Sequence, residues 1–594
     1  VRPAVVIAIA IALLTPQRAL CQPRAEPASA ASAALHSLLA EYWEWRLREF
    51  PEAATWLGDA RYNARLTDLS PDAIERRKQY VRQTLERARA IDASKLTGQD
   101  ALSRSLIVWE LQLAVEGQAY PTEVFVLDQL DGPQIGLAQL VSATPFRNRA
   151  DYDDYLTRLA AIPRYFDQVT ALLRRGIELG WVQPTTPLRS VPDQIQGQLV
   201  GDPVRSPFYA PFERIPDVVP AGDREQLRAA ARDVITRAVF PTLARFRDFV
   251  RDTYLPAGNR AIGASTLPNG AAFYRFAARQ STTTALSPDS IHRIGLAEVA
   301  RIRAQMDTVM RQSGFAGSFQ QFLTFLRTDP RFYYKSADEL IAAYRDISKR
   351  ADAGLPALFA ELPRNSYGVR PFPDYEAPSQ TTARYYPGSA DGSRPGWFMV
   401  NTYRLDMRPK YEMEALTLHE AVPGHHLQIT RAQELRGLPD YRRYVSSTAF
   451  VEGWGLYAES LGNEMPGFYA DPYSRFGQLT YEMWRACRLV VDTGMHHLGW
   501  SRQRAIDFMK DNTAKSEQDI VVEIDRYIVW PGQALAYKVG ELKIKELRAR
   551  ATRELGARFD LRRFHNALLD NGPLPLDLLE REIDRWITSE KTRT

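Results

Sequence analysis

The eight residues HEAVPGHH, His419 to His426, decide how the rest of the chain is read. They open as a metal-binding helix opens, with a histidine followed by a glutamate. In such a helix a second histidine at i+4 puts both imidazoles on one face, where they reach the same ion. Position 423 is instead Pro423, and the next histidines, His425 and His426, stand at i+6 and i+7. A straight helix would return His426 to the face of His419 but roughly 10 Å further along the axis, too far for shared ligation. Pro423 has no N–H for the carbonyl of residue 419 and its ring clashes with that carbonyl, while Gly424 tolerates the backbone that a break requires. If Pro423-Gly424 bulge out, His-Glu-Ala-Val-His remains and the i,i+4 pair is restored as His419 and His425. This deletion argument favours His425 as the second ligand, with His426 as the alternative.

Residues 410–436 read as the helix that carries this turn, entered at Pro409 and left at Gly437. A third ligand is expected from the next helical run, STAFVEGWGLYAESLGNEM (447–465). Glu452 lies there among apolar and aromatic residues, where an unpaired buried carboxylate is costly and a cation would relieve the cost. Glu459, two turns on, reads as a supporting or surface residue. RACRLVVDTGMHHLGW (485–500) puts Arg485, Arg488, Asp492 and His496 on one helix face. DRYIVWPGQALAYKVG (525–540) is a helical run broken by Pro-Gly, with Tyr527, Gln533 and Tyr537 around the break. Five of the eight histidines fall between 419 and 497, a clustering that favours a site over scattered surface residues.

Elsewhere helical patterns dominate. Ser70-Pro71 and Ser287-Pro288 are N-cap and first-turn pairs, Ser336 and Glu339 form a capping-box pattern, and 221–254 is one long amphipathic run with a kink expected at Pro241. The exception is 367–403, punctuated by Pro, Gly and Ser, where WFMVN (397–401) has strand composition. A small β-hairpin is expected there, and its WFMVN strand could pair with an extended peptide by strand addition. Trp397, Met399 and Asn401 on that strand, with Gln533, are therefore the substrate-binding candidates.

The chain of 594 residues is 45% apolar and 25% charged, an ordinary globular balance. Arg2 followed by AVVIAIAIALL (4–14) reads as an export signal too short to span a bilayer, with cleavage after Cys21. A lipid-anchored Cys21 is the weaker reading, because Arg18 and Leu20 fit a lipidation box poorly. Cleavage lowers the net charge from +5 to +3, too mild for a nucleic-acid partner, and leaves Cys487 without a disulfide partner. No later segment is long and apolar enough for stable membrane insertion. The expected organisation is a signal peptide at 1–21, an N-terminal helical region at 30–275, and a C-terminal catalytic region at 280–594, with one continuous body of both regions as the alternative.

Together HEAVPGHHLQ, FVEGWGLYAE, RLVVDTGMHHLGWS and VWPGQALAYKVG resemble a widespread bacterial family of unknown function with an HEAxPGHH motif, grouped with the gluzincin-type zinc metallopeptidases. Thimet oligopeptidase and angiotensin-converting enzyme are wider relatives, mostly helical with a deep cleft. In them the third ligand is a glutamate about twenty-five residues beyond the second histidine, an offset met here by Glu452. The Pro-Gly insertion is the departure from that pattern. The resemblance implies a mostly α body with a deep cleft, one Zn2+ per chain, and a periplasmic or secreted hydrolase acting on peptides. His419, His425 and Glu452 would hold the metal, and Glu420 would be general base toward a zinc-activated water. Tyr537 would stabilise the oxyanion, with His496, His497 or Tyr527 behind it. A metallohydrolase for a non-peptide amide or ester, and an inactive peptide-binding protein, are the alternatives.

Overall fold

A computed structural model describes residues 29–373, 377, 380–392 and 394–593. The expected export signal lies outside the described residues. The architecture is mostly α-helical with one small sheet. Helices start where the sequence marks them: Ser70, Ser287 and Ser336 accept from the backbone N–H three residues on, and Pro288–Gln312 runs out just before Gly314, whose φ of 77° needs glycine.

Two expectations about local structure need correction. The long run 221–254 is not simply kinked at Pro241. It passes through two π-helical turns, Ile235–Val239 and Val250–Tyr254, the first ending just before Pro241. Shifting the hydrogen-bond register by one residue is how a helix accommodates a proline that cannot donate. The second correction concerns the sheet, which has three strands: β1 (Tyr367–Pro371), β2 (Ala383–Tyr386) and β3 (Gly396–Val400), in the order β1-β3-β2. β2 and β3 are the expected antiparallel pair, and β1 adds in parallel on the other side of β3. β3, which contains most of WFMVN, is therefore the central strand. Both its edges are taken, so it cannot receive a peptide strand.

Six helices build the region around the opening motif: α1 (Met413–Glu420), α2 (His425–Glu434), α3 (Thr448–Leu461), α4 (Pro472–His496), α5 (Glu517–Val529) and α6 (Ala536–Leu555). α4 is buried along almost its whole length, and Pro288–Gln312 lies against it so closely that a Cβ on Gly295 would sit 2.7 Å from Leu489. α3 and α6 run parallel with their backbones in contact at Gly453 and Gly540, where a Cβ on Gly453 would lie 2.5 Å from the Gly540 α-carbon. Eight residues on along both helices from the Ala449–Gly540 contact, Arg548 donates to the Tyr457 hydroxyl at 3.1 Å. The largest apolar core joins Leu35, Leu106 and Leu111 to Leu416, Phe450, Phe564 and Ile587, so the first helices share a core with the C-terminal region. Residues 127–254 pack around a second core of their own.

Candidate metal centre

The helix expected over 410–436 is two helices, and the break between them makes the site. α1 ends with the Ala421 N–H bonded to the Thr417 carbonyl at 2.9 Å. Val422-Pro423 is a cis peptide, and the chain re-enters helix with His426 donating to Ala421 and Gln428 to Gly424. The Gly424 α-carbon rests on the carbonyls of Leu418 and His419, so any side chain there would occupy the end of α1. The Trp454 indole N–H, from α3, donates to the Pro423 carbonyl at 2.8 Å and ties the break to the third helix.

The fold-back brings the His425 ring within 4.7 Å of the His419 ring, at 84° to it. Glu452 Oε2 stands 3.7 Å from His419 Nε2 and 3.6 Å from His425 Nε2. One donor atom from each of the three residues lies within 4.8 Å of the others, the one such cluster among the described residues. Ligand bonds of about 2.0–2.1 Å in a tetrahedral zinc site separate donor atoms by roughly 3.3 Å, so the two contacts to Glu452 are each within a few tenths of an ångström of that spacing. Two imidazoles and one carboxylate are also the donor types of a catalytic zinc site, which keeps a position open. The donor set fits zinc.

Electrostatics agrees. Burial alone would raise the Glu452 carboxyl, but the imidazoles of His419 and His425 outweigh it and hold the group well below the usual carboxylate range. Burial would lower His419, yet Glu452 and Glu459 outweigh it and push it up to about 9. Facing two carboxylates, His419 sits where a cation is favoured, whether a proton or a metal ion. Glu459 is fully buried with Oε1 2.8 Å from His419 Nδ1, and Arg485 approaches the same oxygen at 3.5 Å. It orients the ring so that Nε2 faces Glu452. Gly455, between the two glutamates, completes the seat: a Cβ there would lie 2.8 Å from His419 Cε1.

His426 turns the other way. Its Nδ1 lies 2.8 Å from the Tyr385 hydroxyl, its ring packs 4.6 Å from that of Tyr367, and burial pulls it down to about 4. Geometry thus assigns the metal face to His425. Glu420, half-buried at the end of α1, is held by the Tyr385 N–H, 2.9 Å from its Oε2. Asn401 donates to the Thr382 carbonyl, so Thr382, Arg384 and Tyr386 turn their backbone groups toward β3 while Ala383 and Tyr385 turn theirs outward. β2, not β3, is thus the strand whose outer edge faces the site.

The other sequence-derived candidates divide. Tyr537 is buried at the start of α6. Its oxygen accepts from Arg526 at 3.1 Å and its ring lies 4.1 Å under the Arg488 guanidinium, leaving the hydroxyl hydrogen for another acceptor. His496 is a correction. Its Nδ1 accepts from the Ala264 N–H at 3.0 Å and its Nε2 reaches the Tyr527 carbonyl at 2.9 Å, so neither nitrogen is left for chemistry. His497 pairs with Asp289 at 3.2 Å, and Tyr527 is bound to Glu523 and Arg488. Asn401 is likewise structural: it is fully buried and its amide donates to the carbonyls of Ala377, Gln380 and Thr381. Met399 is buried with its sulfur on Arg370 Nε, whereas Trp397 is half-buried under the Arg370 guanidinium at 4.3 Å. Gln533 accepts from Arg526 at 2.7 Å and lines a groove of about 410 Å³ with Tyr120, Phe273 and Trp530; none of the three metal-ligand candidates lines it. Sequence reading missed Tyr385 and Gly455, whose roles arise from contacts across the fold. Glu459 carried a signal, standing seven residues from Glu452 on the same helix face.

Comparison with known proteins places the chain in a family. The family described as "Bacterial protein of unknown function (DUF885)" matches residues 51–583, and the chain belongs to it. Among solved structures it is similar to a protein from Colwellia psychrerythraea described as a "putative lipoprotein". That match has a TM-score of 0.88 at 27% identity and covers 94% of this chain and 99% of the other. A second protein, from Shewanella oneidensis and described as a "putative lipoprotein of unknown function", matches with a TM-score of 0.66 at 16% identity, over 93% of this chain and 99% of that one. A search of curated proteins finds no match.

Proposed function

We propose that this protein is an exported zinc-dependent peptidase, a hydrolase that cuts peptides within a helical cleft. The observation that carries the reading is the convergence of His419, His425 and Glu452, with Glu420 next to His419 in the chain. When bound, zinc supplies Lewis acidity at its remaining position, for a carbonyl and for a water. Glu420, steered by the Tyr385 N–H, accepts the proton of the attacking water and returns it to the leaving amine. Tyr537, its oxygen already accepting from Arg526, donates its hydrogen to the carbonyl oxygen as negative charge develops there. Glu459 and Gly455 hold the His419 ring in place throughout. The motif resemblance to gluzincin peptidases supports a peptide substrate over another amide or an ester.

Export belongs to the same proposal and rests on the apolar segment at 4–14. Among the described residues no helix is long and apolar enough to cross a membrane. The mass of the mature N-terminus distinguishes cleavage after Cys21 from a lipid on Cys21. For the enzyme itself, metal analysis should find about one zinc per chain. Incubation with a mixed peptide library, read by mass spectrometry, should show defined cleavage. Glu420→Gln should keep the zinc and slow cleavage by about 10²–10⁴-fold. A protein that cannot be loaded with metal, or a Glu420→Gln variant as active as the parent, would overturn the reading.

A further inference from the structure

We propose that Asp492 is a positioning residue for the reaction: by holding the turn between α5 and α6 it fixes where the Tyr537 hydroxyl stands. The inference rests on the peptidase reading and adds to it a residue that acts at one remove from the reacting atoms. Arg488, Asp492 and His496 follow one another at four-residue spacing and share a face of α4. Each grips the chain around the α5–α6 turn at a different point. His496 Nε2 lies 2.9 Å from the Tyr527 carbonyl, near the end of α5. Arg488 donates to the Tyr527 hydroxyl at 2.7 Å and lies over the Tyr537 ring at 4.1 Å. Asp492 grips the turn itself, with both carboxylate oxygens 3.2 Å from the Gly532 nitrogen, whose N–H they accept.

The turn is held from a second side as well. Asp492 Oδ1 accepts from the Tyr274 hydroxyl at 2.6 Å, and Tyr274 belongs to the helix Gly270–Thr282. Gly532, at a φ of 82°, is pressed onto that helix: a Cβ there would lie 2.9 Å from the Ala277 carbonyl carbon. Asp492 is fully buried, and among the described residues no Lys, Arg or His nitrogen lies within 4.0 Å of it. A carboxylate buried without a cation is costly, and its compensation here is a set of charge-assisted hydrogen bonds, each roughly twice as strong as a neutral one. Half of that set is spent on a single backbone N–H in the turn.

Two routes lead from the turn to Tyr537. Gln533, which follows Gly532, accepts from Arg526 Nη2 at 2.7 Å, and the same nitrogen donates to the Tyr537 oxygen at 3.1 Å. The second route is the helix itself, because the chain is pinned on either side of Tyr537. Before it, Gly532 is held by Asp492. After it, Gly540 rests against Gly453, the neighbour of Glu452 in α3. Releasing the first anchor leaves the second alone to set the hydroxyl relative to the metal ligands. A reacting group misplaced by about 1 Å costs on the order of 10²-fold in rate.

Peptide cleavage by zinc-loaded variants tests the anchor. Asp492→Ala should keep its zinc and lower kcat by about 10²-fold with KM little changed. Asp492→Asn, equal in shape and still an acceptor through Oδ1, should recover part of that loss. Tyr537→Phe removes the hydroxyl that the anchor serves, so adding Asp492→Ala to it should lower kcat no further. A full additional loss in that background, a loss carried by KM, or an unchanged kcat would overturn the proposal. If Asp492→Ala does not fold, Asp492→Asn makes the same comparison at smaller amplitude, alone and with Tyr537→Phe. A second readout needs no turnover: Tyr537 replaced by a fluorinated tyrosine gives one fluorine NMR signal. That signal should move in Asp492→Ala and move less in Asp492→Asn. A signal that stays in place in both variants sinks the anchor alone, whether or not peptides are cut. A signal that moves in a protein that cuts no peptide sinks the peptidase reading and keeps Asp492 as the anchor of Tyr537.

Discussion

Two groups of buried or half-buried histidines stand in this molecule under different chemical obligations. His419 and His425, their rings edge-to-face, both aim Nε2 at the same oxygen of Glu452. His426, His496 and His565 point theirs at protein: His426 at the Tyr385 hydroxyl, His496 at two backbone groups, His565 at Tyr457 and the Leu358 carbonyl. Residue type and burial hardly separate the groups. What separates them is whether each nitrogen already has a partner, and that decides between metal ligation and structural cross-linking.

The sharpest test lies between adjacent residues. His425→Ala should abolish stoichiometric zinc with little change in thermal stability of the metal-free protein. His426→Ala should keep one zinc per chain and lose about 1–3 kcal/mol, the cost of an unsatisfied buried partner. Metal analysis and denaturant unfolding of both variants check this, and zinc loss in the second alone would reverse the assignment.

A smaller effect is expected where the first group is held rather than where it ligates. Glu459→Gln weakens the carboxylate that orients His419, and Gly455→Ala places a methyl against its ring. Each should lower zinc affinity by about 10–100-fold while the protein stays folded. Unchanged affinity in both, measured by competition with a chelator, would show that His419 needs no seat.

The least dramatic change separates the groups by pH. Burial pulls His426, His496 and His565 each from 6.5 down to about 4. Unfolding lets them take up protons that the fold refuses, so their stability is complete above pH 6.5 and is lost as pH falls toward 4. Each depression is worth roughly 3 kcal/mol at most. Urea unfolding between pH 7 and 4 should show steep destabilisation on acidification. His496→Gln should lower the slope by about one proton. An identical slope in that variant would remove His496 from the group.

Much of the fold was legible. Ser-Pro entries, apolar spacing and glycine stops mark helices wherever local chemistry outweighs context, as at Pro71–Ala90 and Pro288–Gln312. The third strand was not, because Tyr367–Pro371 has no alternation of its own and exists by pairing with a strand 29 residues on. At the site, HEAVPGHH with Glu452 was readable because proline and glycine state where a helix must break. Asn401 and His496 misled the reading because their chemistry is satisfied by backbone groups from distant segments.

By itself, then, the sequence determined a mostly helical body, the helical break at Pro423-Gly424 and the residue types of a candidate metal-binding set. Those follow from φ, from missing N–H groups and from periodicity, all of them local. Only the tertiary structure decided which of two neighbouring histidines turns toward Glu452 and which strand edge meets Glu420. These depend on direction and on partners brought from elsewhere in the chain, and a side chain's direction is fixed by what packs around it.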